Sequence, residues 1–385
     1  MRFVNDIKET VDPSLRVPLA RPWFDESEPS VARDVVASRW LIFGPKVREF
    51  EQRFAELHGA KHGVAVNSGS SALLVAMAAL GVGPEDEILA PDMTFVSTAS
   101  SAIFLGAIPR FVDIDPRHHN MDPEDLERRI TDRTKLIVPV HYAGHAADMT
   151  RIRAIADAHG IPVLEDAAEA HLAKWDGRYV GTLGQAGIFS FTPSKPMTTG
   201  EGGMILTNDD EVAARCRLFL NFGDTDKFRW DALGFNFRMP EVMGAIGLEQ
   251  LKKLPAAIEE RRAIARRYTA AFAGEPAILP PDPVSEETIN FQLYTLRLDL
   301  ERLSISRDEV LSRLAEQGVS ARLYYPPLHR AKVFERFGAT RDDDFPQTVA
   351  YARCALSLPI FPGLTDAQFD RVVTSLLGIV REAAR

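Results

Sequence analysis

The sequence predicts an α/β protein, with a mainly parallel central sheet in a large domain and a smaller α+β domain after it. Three observations predict this. From about Trp40 to Leu254, short apolar runs alternate with helical stretches, the order expected of βαβ units. Most of those runs lack polar alternation, as strands covered on both faces do. Beyond a long helical stretch the regular alternation stops.

The predicted strands are 63–66, 87–90, 108–112, 135–140, 161–164, 186–191 and 203–207. Ligand-binding groups then belong on the loops at strand ends. The stretch 257–273 reads as a helix leaving this domain, with Arg261, Arg262, Arg266 and Arg267 on solvated faces. After it come a strand at 291–298, a helix at 308–317 and a closing helix at 366–383. This gives an N-terminal extension (1–20), a large domain (21–255) and a small domain (256–385).

Composition narrows the function. The 385 residues are 45% apolar and 26% charged, as in ordinary globular proteins. A net charge of -9 with no Lys/Arg-rich run argues against nucleic acid as a partner. Residues 1–15 mix Asp6, Lys8, Glu9 and Asp12 among apolar residues, unlike a signal peptide. The strongest apolar stretch, Leu73 to Leu80, is too short to span a bilayer, so no membrane association and a cytoplasmic location are expected. Cys216 and Cys354 lie far apart without metal or redox spacing and read as small core residues. No metal site is expected.

Three segments could carry chemistry. Asn67-Ser68-Gly69-Ser70-Ser71-Ala72-Leu73 joins a strand to an Ala-rich helix. Small residues there leave backbone N–H groups open to a phosphate, and the same pattern suits an ordinary N-cap. In Val163-Leu164-Glu165-Asp166-Ala167-Ala168-Glu169-Ala170-His171 two adjacent carboxylates stand where a strand ends. One could cap a helix, or a carboxylate could keep a pyridine nitrogen protonated. Phe189-Ser190-Phe191-Thr192-Pro193-Ser194-Lys195 brings a hydroxyl and a lysine off a strand, before the glycine-rich Gly200-Glu201-Gly202-Gly203. Together they supply an amine for an imine, an acid for a ring nitrogen and a phosphate nest, which is what pyridoxal phosphate (PLP) chemistry requires.

At these residues the chain resembles the DegT/StrS family of fold type I PLP-dependent aminotransferases, which act mainly on nucleotide-linked keto sugars. The resemblance runs from about Pro18 to the C-terminus. Six segments carry it: Ser68 to Leu73, Pro91 to Phe95, Glu165 to Ala168, Ser190 with Lys195, Gly200 to Gly203, and Gly234-Phe235-Asn236-Phe237-Arg238-Met239. It implies that Lys195 carries PLP as a Schiff base and that Asp166 pairs with the pyridine nitrogen. It further implies that Ser190 with Ser70 and Ser71 holds the phosphate and that Phe95 stacks on the ring. Glu169 joins the cofactor-binding set, and Asn236 reaches the phosphate of a neighbouring subunit, which implies a homodimer with shared sites. The donor would be glutamate or glutamine.

Several positions bear on the acceptor. The family often has Gln where Glu169 stands, although Glu also occurs, and the resemblance on this point supports a 4-keto-6-deoxy sugar acceptor. In Trp40-Leu41-Ile42-Phe43-Gly44, Ile42 and Phe43 replace small hydroxyl residues near the substrate, which suggests a more apolar pocket. Trp40, Arg238 and His329, the last in Tyr324-Tyr325-Pro326-Pro327-Leu328-His329, are candidate substrate contacts. A nucleotide-linked 4-keto-6-deoxy or 3-keto sugar is the expected acceptor, with a keto-cyclitol or another small ketone as the alternative. Sugar dehydration is disfavoured because such members replace the lysine by histidine. A non-catalytic PLP-binding regulatory or scaffold protein would have no use for Lys195, Asp166 and Ser190 together.

Overall fold

A computed structural model describes residues 16–226, 228–338 and 341–385; positions 1–15 of the expected N-terminal extension lie outside the described residues. All seven strands expected for the large domain form: β1 (His62–Val66), β2 (Glu87–Pro91), β3 (Ile108–Val112), β4 (Thr134–Ile137), β5 (Leu164–Asp166), β6 (Ala186–Ser190) and β7 (Gly203–Thr207). Strand β5 starts at the last residue of the expected 161–164 run, so its end carries Asp166.

Pairing gives the order β3-β2-β4-β5-β6-β7-β1. The junction between β4 and β5 is made by parallel bridges from Ile137 to Val163 and from Val140 to Asp166. Strand β7 runs antiparallel to both β6 and β1, and the other neighbours pair in parallel.

Successive side chains on these strands alternate between two apolar cores. Val64, Val66, Ile88, Ala90, Ile188 and Ile205 enter the core that holds helix α3 (Gly69–Ala79). Ala65, Leu89, Phe189, Met204 and Leu206 enter the opposite core with Phe50, Phe54 and Ile152. A period of two applied to a doubly covered sheet explains why the strands read as continuous apolar runs.

The long helix α8 spans Glu241–Phe272 and continues through Pro255, well before the predicted start at 257. Proline removes one intrahelical N–H, but apolar positions before and after it keep one packing stripe. Leu248, Leu251 and Leu254 join the large-domain core, and Ile264, Ala265, Tyr268 and Phe272 the small-domain core. The small domain holds a three-stranded antiparallel sheet of β8 (Ile278–Leu279), β9 (Tyr294–Leu298) and β10 (Ala355–Leu358). Val17, within the expected extension, packs into its core and bonds to Gly318 and Ser320.

Arg261 departs from expectation, because it is buried rather than solvated. Four arginines close together read as one charged face, yet the helical period turns position 261 inward with 265 and 268. Its Nη1 donates to the carbonyls of Phe291, Gln292 and Ile360 at 3.0–3.3 Å. With no carboxylate hydrogen-bonded to it among the described residues, burial pulls the guanidinium down to about 10, against the Glu260 charge. Cys216 is a core residue, whereas Cys354 is only partly buried. Among the described residues no helix is long and apolar enough to cross a membrane, and no acidic, His or Cys cluster could hold a metal.

Candidate active site

The strand ends bring the three predicted segments close to one another. Alternation along β5 sends its two carboxylates in opposite directions. The fully buried Glu165 accepts N–H bonds from Leu183, Gly184 and Gly181 at 2.6–2.7 Å and one from His141 Nε2 at 3.0 Å. It caps no helix; it fastens the loop between β5 and β6. Asp166 turns the other way and accepts from Thr98 Oγ1 at 2.8 Å and the Ala168 N–H at 3.2 Å. Burial pushes its carboxyl up, against those hydrogen bonds and the nearby Lys195 charge. A cationic ring nitrogen is the partner such a carboxylate lacks.

Lys195 Nζ donates to Glu169 Oε1 at 3.1 Å, with its side chain 12% exposed. The same oxygen accepts the Tyr325 hydroxyl at 2.7 Å, and Glu169 Oε2 accepts the Ala143 N–H at 2.8 Å. Burial and then the Glu169 charge raise the Tyr325 phenol well above its usual value. The Tyr325 ring lies 5.8 Å from that of Phe95. Phe95, 53% exposed at the start of helix α4 (Val96–Phe104), keeps its ring outside the apolar cores.

The start of α3 serves both readings of its sequence. Ser68 caps the helix by accepting the Ser71 N–H, and the Ser71 hydroxyl is spent locally on Asn67 Oδ1 at 2.6 Å. Gly69 faces Ser190: a Cβ added there would sit 2.8 Å from Ser190 Cβ and 2.9 Å from Oγ. The exposed Ser70 pairs with Ser97 at 2.7 Å. A helix N-terminus and the Ser190 hydroxyl thus meet across a gap only glycine permits. That cradle fits a phosphate.

The other sequence candidates are held by different partners, although the Asn236–Arg238 segment runs beside the start of α3, where Arg238 bridges Val66 and the Asn67 N–H bonds to the Phe237 carbonyl. His329 is 1% exposed, and both its ring nitrogens are engaged, with Asp92 Oδ2 at 2.6 Å and Asp342 Oδ1 at 3.0 Å. In this arrangement His329 is a buried bridge between the two carboxylates. Burial opposes its protonation, but the two carboxylates outweigh it and raise the imidazole above its usual value. Trp40 is 60% exposed and bonds to the Ile42 carbonyl. The Arg238 guanidinium lies over the rings of Phe43 and Phe222 and bonds to Asn221. Asn236 is exposed and forms a bridge with Asn221. Among the described residues, no hydrogen bond or ring contact ties Trp40, Arg238 or Asn236 to Lys195.

Sequence reasoning passed over Thr98, Tyr325, Asn290 and Gln292. Thr98 stands three residues after Phe95, one helical turn away, and that spacing was available as a signal; the other three are brought in by the small domain.

A lysine amine and a buried acid converging on a phosphate cradle define a pyridoxal-phosphate enzyme. Residues 23–377 match the DegT/DnrJ/EryC1/StrS aminotransferase family, and the chain belongs to it; PLP is its cofactor. Among curated relatives, the spore coat polysaccharide biosynthesis protein SpsC of Bacillus subtilis is 36% identical, with 95% of this chain and 98% of that protein covered. GDP-perosamine synthase of Caulobacter vibrioides is 38% identical over 94% and 97%. Among solved structures, Helicobacter pylori PseC, an aminotransferase involved in the biosynthesis of pseudoaminic acid, superposes with a TM-score of 0.90. It is 28% identical, with 95% of this chain and all of that one covered.

Proposed function

We propose that this sugar aminotransferase takes its amino group from glutamate or glutamine and delivers it to a nucleotide-linked 4-keto-6-deoxy or 3-keto sugar. The observation that carries the reading is the Lys195 amine held 3.1 Å from Glu169, with its charge felt by the buried Asp166. The likeness to GDP-perosamine synthase, together with Glu169, supports the 4-keto-6-deoxy acceptor.

Bound PLP supplies a carbonyl that accepts the amino group and a ring that withdraws electrons. Asp166 would hold the ring nitrogen, Phe95 the ring face, and Ser190 with Ser70 and the α3 N-terminus the phosphate. Lys195 would act as the base that takes and returns the proton at the reacting carbon. Glu169 orients that amine, and the Tyr325 hydroxyl shares the same carboxylate oxygen.

A homodimer is part of the proposal. Leu41, Ile42, Phe43, Phe222, Phe228, Trp230, Leu233 and Phe235 are large apolar residues each at least 45% exposed. They lie on the segments that carry Trp40, Asn236 and Arg238, and exposed apolar surface of this kind favours association. In a dimer those three residues would complete the site of the facing subunit.

The test starts with the absorbance of PLP-loaded protein before and after glutamate. Conversion of the visible band to a pyridoxamine phosphate band is expected, followed by its reversal with nucleotide-linked keto sugars. No conversion with either donor would end the reading. Turnover of keto-inositols in preference to nucleotide sugars would replace the acceptor.

A further inference from the structure

The turn Asn290-Phe291-Gln292 of the small domain reaches both loops that bear the reacting groups. Asn290 Nδ2 donates to the carbonyls of Glu169 and His171, each at 2.9 Å. Gln292 Nε2 donates to the Ser194 carbonyl at 2.9 Å, one residue before Lys195. The turn is braced from within, since Asn290 Oδ1 accepts the Gln292 N–H at 2.8 Å. Phe291 between them adopts φ +52°, an unfavourable left-handed conformation for a bulky side chain. Gly144 leaves the room: the Asn290 carboxamide occupies the space a Cβ there would need.

Both amides are buried, and Gln292 Oε1 has no hydrogen-bond partner among the described residues. A buried, half-satisfied carboxamide is a poor choice for packing, because an unpaired polar atom in the interior is costly. What it does that an apolar side chain of its size cannot do is hold Ser194. Arg261 grips the turn from behind through the Phe291 and Gln292 carbonyls.

We infer that Gln292 is a positioning residue for Lys195. With Asn290 it lets the small domain set the distance between the amine and Glu169. The inference rests on the proposed role of Lys195 but not on the identity of the sugar. Loss of the Gln292 bond leaves the Ser194–Lys195 peptide held through the Lys195 N–H on the Thr192 carbonyl, with its carbonyl side loosened, and misplacement of a reacting group by about 1 Å costs up to roughly a hundredfold in rate.

The experiment uses cofactor-free protein and trinitrobenzenesulfonate as an amine probe, with Lys195 modification followed across pH by peptide mass spectrometry. Gln292→Met keeps the bulk without the donor, and Gln292→Glu turns an oxygen toward the Ser194 carbonyl. Thr295→Val is the control, because it removes a buried bond to Ser357 in the same domain. Both Gln292 variants should alter the Lys195 labelling profile and slow PLP uptake by about tenfold. In the loaded enzyme, kcat should fall with the keto-sugar KM unchanged, and Thr295→Val should match the parent throughout. Labelling profiles and uptake rates equal to the parent's in both Gln292 variants would overturn the inference. If PLP never reaches Lys195 in the parent protein, the proposed function fails instead, and the labelling comparison still decides the role of Gln292.

Discussion

Replacing Glu165 tests whether adjacent carboxylates on one strand divide into a structural and a functional member. Its two oxygens collect three main-chain N–H bonds and the His141 Nε2–H, all inside the protein. The tautomer of His141 is fixed, because its Nδ1 accepts the Ala147 N–H at 3.0 Å. Glu165→Ala would leave four donors unpaired, three of them buried and the Gly184 N–H partly so. At the lower figure of about 1 kcal/mol for each, the loss is roughly 4 kcal/mol, a large part of the 5–15 kcal/mol typical of a folded protein. Glu165→Gln should cost about half as much. Whichever way its amide turns, the single oxygen serves either Leu183 and Gly184 or Gly181 and His141, leaving about two donors stranded. Urea unfolding of the cofactor-free protein, at one fixed protein concentration, measures both changes. A Glu165→Gln midpoint equal to the parent's would refute the reasoning, since it would mean that the loop finds other acceptors at no cost.

Three further outcomes are expected. Gly69→Ala pushes α3 off Ser190 and should weaken PLP binding by at least about tenfold, or 1.4 kcal/mol, in a direct titration; unchanged affinity would remove the cradle from the argument. Asp166 has a raised folded pKa, so its ionised form costs stability as pH climbs above 3.8 and through the folded value. Asp166→Asn should therefore raise the Tm of cofactor-free protein at pH 7 but not below pH 4, while crippling turnover; a lower Tm at pH 7 would count against it. The His329 imidazole is raised, so its contribution is full below pH 6.5 and is lost as pH rises through the folded value. His329→Gln should lower the Tm more at pH 6 than at pH 9, and equal losses at both would contradict this.

Much of this arrangement was legible because the periodicity is strict. Val64, Ala65 and Val66 serve opposite cores in turn, so β1 reads as apolar whichever way it faces. The segments that hold Lys195, Asp166 and Ser190 were legible as strand-end segments because each lies at or just beyond the end of a strand that the pattern locates. The antiparallel direction of β7 was not, because the 203–207 run has the same apolar character either way. Arg261 misled through its charged neighbours, with only helical phase to distinguish it. His329 could not be placed from its motif, since Asp92 and Asp342 are brought to it by folding. The Asn290-Phe291-Gln292 turn carries no special signal, because polar residues before a strand are ordinary and their partners lie about a hundred positions away.

The unbroken course of α8 has a consequence for engineering. The helix begins at Glu241, whose carboxylate receives the Gly44, Lys46 and Val47 N–H groups at the start of helix α2 (Pro45–His58), and ends in the other core at Phe272. A chimera that joins the front of this chain to the back of a relative therefore has no neutral splice within positions 241–272. A cut there must match helical phase and both packing stripes at once. A junction just beyond Phe272 would carry the whole beam with the first parent and leave its far end to be fitted to a foreign core.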